Sequence, residues 1–262
     1  HSSPNPPCSM SNSPTTVTRR DNLLAVLHGR EPAWTPAAMN IAQWFTHRER
    51  FDLLPEELKD AQDHIDAMKV LGCDIFTRNV DAGVERQFEG VEVENIEEPG
   101  TMGPRHTRRF HTPHGSLQTV SEEQSSETMS YQVEDLIKDW SEDRDAYLWL
   151  LERESWTWDR STYLELDQRI GDDGLAMISM AQTPLKRLHA DFGLDHSCLF
   201  VMDYPEDAKR ICERFWQGVL PVIDQIAADD TTHAAILMDN VDAPFYPPSV
   251  CDEYWTPYVR DA

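Results

Sequence analysis

Short apolar runs alternating with helical periodicity predict an α/β protein built on a parallel sheet. Four runs are apolar on both faces: Ala33 to Met39, Cys73 to Thr77, Leu175 to Met180 and His233 to Met238. Each is separated from the next by segments with helical spacing. Each run also ends in polar residues, Asn40, Arg78-Asn79, Gln182-Thr183 and Asp239-Asn240, where the loops of such units begin. Gaps of roughly 40 to 100 residues between the runs leave room for large decorations, which barrels accept more readily than open dinucleotide-type sheets.

In chain order, Thr18 can cap a helix whose stripe is Leu23, Leu24, Val26 and Leu27, with Gly29 at its stop. Pro32 and Pro36 bracket the first strand. Helical periodicity returns from about Ile41 to Phe51. It returns again from Pro55, a favourable first helical residue, to Leu71, with Ile65, Met68 and Leu71 on one face and Gly72 past the end. After the second strand the period changes to alternation at Val84, Phe88, Val91, Val93, Phe110, Leu117 and Val120, punctuated by Gly90, Gly100, Gly103 and Gly115. This is the pattern of a meander of hairpins. Glu134 to about Glu154 reads as a helix, and Ser161 to Ile170 adds further helical turns before the loop Gly171-Asp-Asp-Gly174. Pro184 opens a helix that stops at Gly193, Pro205 opens a long one to about Ala228, and Pro248 opens the last.

The 47 acidic residues against 23 basic ones give a formal charge of −24. That field repels phosphate backbones and anionic headgroups, so neither nucleic acid nor a membrane is an expected partner. Apolar runs such as Leu23 to Leu27 and Ala234 to Met238 fall far short of the ~20 residues that cross a bilayer, so a soluble chain is expected. The five cysteines stand apart without C-x-x-C spacing, which fits a reducing cytoplasm. Arg outnumbers Lys eighteen to five, a bias that suits a high-salt or GC-rich source. Residues 1–18, rich in Ser, Pro and Asn with no apolar centre, read as a disordered or upstream-derived tail with Met10 a candidate start; 19–262 reads as one domain. The sequence has no internal repeat. The glycine signatures of dinucleotide binding, P-loop hydrolysis and the α/β-hydrolase elbow do not follow any strand.

A series of local patterns, in order, resembles the uroporphyrinogen decarboxylase superfamily, which holds the haem-pathway decarboxylase and the corrinoid-dependent methyltransferases. The pieces are Arg20-Asp-Asn-Leu-Leu-Ala-Val-Leu-His-Gly-Arg-Glu-Pro32, Leu71-Gly-Cys-Asp74, Thr112-Pro-His-Gly-Ser-Leu117 (similar to the family's T-P-x-G-x-L), Gln182-Thr-Pro184 and Asp203-Tyr-Pro-Glu206. Asp239-Asn240 follows, with Tyr246-Pro-Pro-Ser249 and Tyr254-Trp-Thr-Pro257. The resemblance implies a (β/α)8 TIM barrel with an N-terminal helix and a β-hairpin excursion, incomplete in this chain at about four barrel strands. Two unpaired strand edges would then call for a longer product or for self-association into a homo-oligomer.

Within the superfamily the chain looks closer to the methyltransferase branch. The decarboxylase's R-Q-A-G-R motif is replaced by Met39-Asn-Ile-Ala-Gln-Trp-Phe-Thr-His-Arg48, and Arg78-Asn79 stands where an aspartate would end the second strand. The resemblance implies an enzyme moving a methyl group between a small molecule and a corrinoid, thiol or folate acceptor, with a corrinoid protein as partner. The alternatives are a uroporphyrinogen III decarboxylase acting on a tetrapyrrole and a non-catalytic truncated homologue. It implies no cofactor within this chain, and zinc in a full-length protein through a His-x-Cys and a further Cys on later strands.

Barrel active sites lie at the C-terminal strand ends. This makes Asp239 and Arg78 the candidate catalytic residues and Asn40, Asn79, Gln182 and Asn240 the candidate substrate ligands. The bland alternative for each is a loop start or helix cap. Arg78, straight after a buried strand, would need a carboxylate, from substrate or an internal Asp. Arg105-His106-Thr-Arg108-Arg109-Phe-His111-Thr-Pro-His114 concentrates cations in an acidic chain. It reads as a metal site, an anion clamp or a solvated hairpin balancing acids; strand alternation puts His106, Arg108 and Phe110 on one face and Arg109 and His111 on the other. Trp149, Trp156 and Trp158 could stack a flat tetrapyrrole or simply pack the core.

Overall fold

A computed structural model describes residues 16–78, 80–124, 129–239 and 246–261 and gives a mixed α/β protein. Its parallel part is narrow. Strand β1 (Ile75–Phe76) pairs with β8 (Gly174–Leu175), and two residues further along the same extended stretch β9 (Ile178–Gln182) pairs with β10 (Ala235–Met238), parallel in both cases. One continuous apolar run thus bonds to one neighbour with its first half and to another with its second. Gly174 permits this, because a Cβ there would stand 1.9 Å from the Ile75 carbonyl oxygen. Among the described residues the sheets do not join into a closed barrel.

The expected first strand is not one. Residues 33–39 form no strand and are mostly exposed. They are held instead by buried Asp74, which accepts from the Ala37 amide at 2.7 Å and from Trp34 Nε1 at 3.3 Å. Helix α1 (Arg19–Leu27) is capped by Thr18 in reciprocal hydrogen bonds with Asp21. Its buried face differs from the apolar stripe: Val26 and Leu27 are exposed, whereas Asn22 is buried and bonds to the backbone of Ala33 and Trp34. Helix α2 (Ala42–Arg50) lies where expected. The helix expected from Pro55 starts later, because Asp63 caps α3 (His64–Leu71) and only a short 3-10 turn precedes it.

The meander is present as antiparallel β3 (Glu92–Pro99), β4 (Pro104–Thr112), β5 (Gly115–Glu123) and β6 (Ser130–Glu134). At the β4–β5 turn the Thr112 hydroxyl accepts from the His114 amide and donates to the Gly115 carbonyl, which is the physical content of the T-P-x-G pattern. Strand β2 (Val84–Phe88) pairs instead with β7 (Glu154–Trp158). The Trp-rich segment is therefore half helix, at the end of α4 (Trp140–Leu151), and half strand. Helices α5 (Arg160–Ile170), α6 (Pro184–Phe192), α7 (Leu194–Asp203), α8 (Pro205–Ala227), α9 (Pro248–Tyr254) and α10 (Thr256–Asp261) complete the chain, α7 being the one without a sequence signal.

Two cores result. One packs the meander against α4, α6 and α7; the other packs α2, α3 and α5 around β1 and β9. Helix α8 serves both, with buried Ile211, Phe215, Trp216 and Val219 facing the first and Val222 and Ile226 the second. No helix among the described residues is long and apolar enough to cross a membrane.

Candidate functional site

The C-terminal ends of β9 and β10 converge because Met238 pairs with Gln182 in parallel register. The chain then turns at Thr183, which caps α6 through its hydroxyl, with Pro184 as the first helical residue. The same hydroxyl donates to Asp239, the residue that follows β10. Trp255, between α9 and α10, donates Nε1 to Asp239 Oδ2 at 2.6 Å. Nearby, the phenol of buried Tyr246 shares a 2.9 Å hydrogen bond with Ser197 and is pushed by burial up to about 12.

Two bases of α6 feel the charge of this carboxylate. Lys186 Nζ lies 3.3 Å from His189 Nδ1. Burial lowers the Lys186 ammonium below its ordinary range, against the pull of Asp239. His189 is lowered first by burial and then by the Lys186 charge, which favours its neutral form at neutral pH. The strand ends thus present a fixed carboxylate able to hold a substrate N–H or cation, an amine, and an imidazole able to accept a proton.

A second cluster lies beside the first. Arg187, 2% exposed, donates Nε to Asp191 and Nη1 to Glu154 at 2.7 Å. Arg86 reaches Glu154 Oε2 through Nη2 at 3.0 Å, and Tyr147 donates its hydroxyl to Asp191 at 2.5 Å. Burial raises the Glu154 carboxyl, but Arg187 and Arg86 outweigh it and hold Glu154 below its ordinary range. Burial likewise lowers Arg86, aided by repulsion from Arg187. A cavity of about 190 Å³ opens onto this network, lined by Arg86, Arg108, Phe110, Leu136, Gln182 and Arg187 among others. A larger apolar cleft of about 420 Å³ runs along β10 from Thr232 to Leu237 between Ile223, Ile226 and Val259; the Asp239 and Arg187 clusters do not line it.

Of the residues expected at the site, the fold brings Gln182 and Asp239 to neighbouring strand ends. Asn79 and Asn240 lie outside the described residues. Asn40 is exposed in the irregular segment before α2. Arg78 follows β1 as expected but is exposed, so water solvates its charge and the argument that it must find a carboxylate does not hold. In the basic hairpin the histidines do not converge: His106 pairs with Glu123 at 3.1 Å, while Arg109 and His111 share Glu94. Among the described residues no three His, Cys, Asp or Glu side chains gather as metal ligands, so these residues do not form a zinc site.

Lys186, His189 and the Arg86–Glu154–Arg187–Asp191 network were not singled out from the sequence, and Trp255 entered only as part of the Tyr254-Trp-Thr-Pro257 pattern. The one available signal was Arg187 with Asp191 four residues on, both falling on the apolar face of α6 with Pro184 and Leu188. No family model matches the sequence, and neither a curated protein nor a solved structure shows significant similarity to it.

Proposed function

We propose that the chain forms the substrate side of a barrel enzyme of the uroporphyrinogen decarboxylase type, in the methyltransferase-like branch, moving a methyl group between a small molecule and a corrinoid, thiol or folate acceptor. The observation that carries this reading is the joining of Asp239, Thr183 and Trp255 at adjacent C-terminal ends of parallel strands, the position from which barrel enzymes act. On this reading β1, the β8–β9 stretch and β10 are neighbouring staves of the barrel wall. Asp239 anchors a substrate cation or N–H, and Gln182 contributes amide contacts.

The test is the visible spectrum of a corrinoid mixed with the protein and a methyl donor. Conversion between methylated and demethylated cobalt forms is expected, and Asp239→Asn should slow it by about 100-fold, in the range lost with one charge-stabilising group. No spectral change with thiol- or amine-type donors would sink the reading. A second reading, decarboxylation of a carboxylated tetrapyrrole, is favoured by the focusing of Arg86, Arg108 and Arg187 in an acidic chain. Porphyrin fluorescence after oxidising the products formed from uroporphyrinogen would decide for it.

A further inference from the structure

The cavity between the meander and α6 reverses the sign of the protein around it. In a chain of formal charge −24, three guanidinium groups, those of Arg86, Arg108 and Arg187, line about 190 Å³. Two carboxylates answer them, Glu154 bonded to both Arg86 and Arg187, and Asp191 bonded to Arg187. Arg108 is solvent-exposed and has no carboxylate partner among the described residues; its guanidinium lies 5.1 Å from the Phe110 ring centre and 5.7 Å from that of Phe88. One guanidinium nitrogen of Arg187 is left without a hydrogen-bond partner. Its Nε and Nη1 are bonded, and Nη2 is buried without a partner. A buried donor without a hydrogen-bond partner is costly to maintain; the Arg187 guanidinium carbon lies 5.2 Å from the Phe215 ring centre, and Arg187 lines a cavity large enough for several non-hydrogen atoms.

We propose that this cavity binds a small-molecule carboxylate, whose oxygens accept from Arg187 Nη2 and pair with Arg108 while its short apolar remainder lies against Phe110 and Leu136. A planar carboxylate suits a guanidinium donor, and one positive charge in excess of the local carboxylates matches a monoanion better than a phosphate dianion. The rim residue Gln182, at the end of β9, places the ligand beside the Asp239 cluster. The inference does not depend on which reaction the strand ends carry out, and it is read by binding alone.

The experiment is isothermal titration of the full chain at low salt with propionate, succinate and inorganic phosphate, together with ¹⁵N-detected arginine side-chain spectra. Saturable propionate binding that weakens with added salt is expected, accompanied by a shift of one buried arginine signal. Arg108→Gln should weaken it by about tenfold, the loss of one charge-assisted contact, and Arg108→Lys by less. Arg108 makes no ion pair among the described residues, so both variants should remain folded, with a small fall in melting temperature at most from its ring contacts with Phe88 and Phe110. If neither carboxylate saturates by about 10 mM, if phosphate binds more tightly than both, or if both Arg108 variants bind as the wild type does, the proposal fails.

Discussion

Replacing Arg187 by methionine tests whether the buried network holds the two halves of the fold together. Among the described residues Arg187 is the only cation bonded to Asp191, which is itself 5% exposed, and it shares Glu154 with Arg86. Methionine preserves most of the side-chain volume, so the cavity penalty is small and the loss reports the stranded charge. Removing one partner of a buried pair costs about 3–5 kcal/mol. Glu154 keeps Arg86 and Asp191 keeps the Tyr147 hydroxyl, which places the expected loss near the lower figure, ~3 kcal/mol. For a domain of this size that corresponds to a melting temperature lower by on the order of 10 °C. The assay is urea unfolding followed by tryptophan fluorescence, with the denaturant slope checked for constancy. Removing the stranded charge as well, in Arg187→Met/Asp191→Asn, should recover part of the loss. A single-variant loss below about 1 kcal/mol, or a double variant no more stable than the single one, would refute the assignment of a buried, obligatory ion network.

Two further perturbations probe the frame around it. Gly174→Ala drives a methyl group into the Ile75 carbonyl and should cost about 3 kcal/mol or more by prising β1 from β8, measured as a fall in the urea midpoint; a neutral effect would mean that the β1–β8 pairing is not maintained. Asp229, held by the Thr231 hydroxyl and then by Arg160, has its carboxyl lowered to about 2. A depressed folded-state value means that its contribution is complete above the unfolded value near ~4 and is lost as pH falls towards 2. Melting curves between pH 5 and 2 should therefore fall less steeply for Asp229→Asn than for the wild type, and equal slopes would contradict the Thr231–Arg160 anchorage.

Elements marked by strong local chemistry were legible in the sequence. Thr18, Pro184 and Pro205 fix helix starts through capping or through a proline that loses no hydrogen bond at the first turn, and these starts agree with the structure. The alternating meander was legible because a period of two survives wherever one face is buried, as at Phe110, Leu117 and Val120. Pro55 misled, because a proline compatible with a helix start does not create one; Asp63, accepting from two backbone amides, sets the true start at His64, nine residues later. Residues 33–39 misled for a related reason. Their apolar character is real, yet the segment is tied to Asp74 side-chain oxygens rather than to a neighbouring strand, and nothing in its own composition announces that partner. The β2–β7 pairing was invisible because its strands lie 65 residues apart or more, and only the fold brings Arg86 to Glu154.

The candidate site follows the same division. Asp239 and Gln182 could be found because a polar residue after a buried strand is a local signal, whereas Arg187 sits inside an amphipathic helix where its charge looks like an error of patterning. That apparent error is the informative feature. An arginine on the apolar face of α6 is tolerable only if partners meet it from elsewhere, and they come from three places: Asp191 one turn on, Glu154 on β7, and Arg86 on β2 tying Glu154 down from the far side. Such a network draws α6 against the β2–β7 pair, and α6 begins at the end of β9. The charge pattern that braces the fold therefore also fixes the position of Thr183 and, through it, of Asp239. Loss of Arg187 should disturb chemistry at the strand ends as well as stability, whereas loss of Arg108, which has no carboxylate partner among the described residues and touches only the Phe88 and Phe110 rings, should change ligand affinity far more than stability.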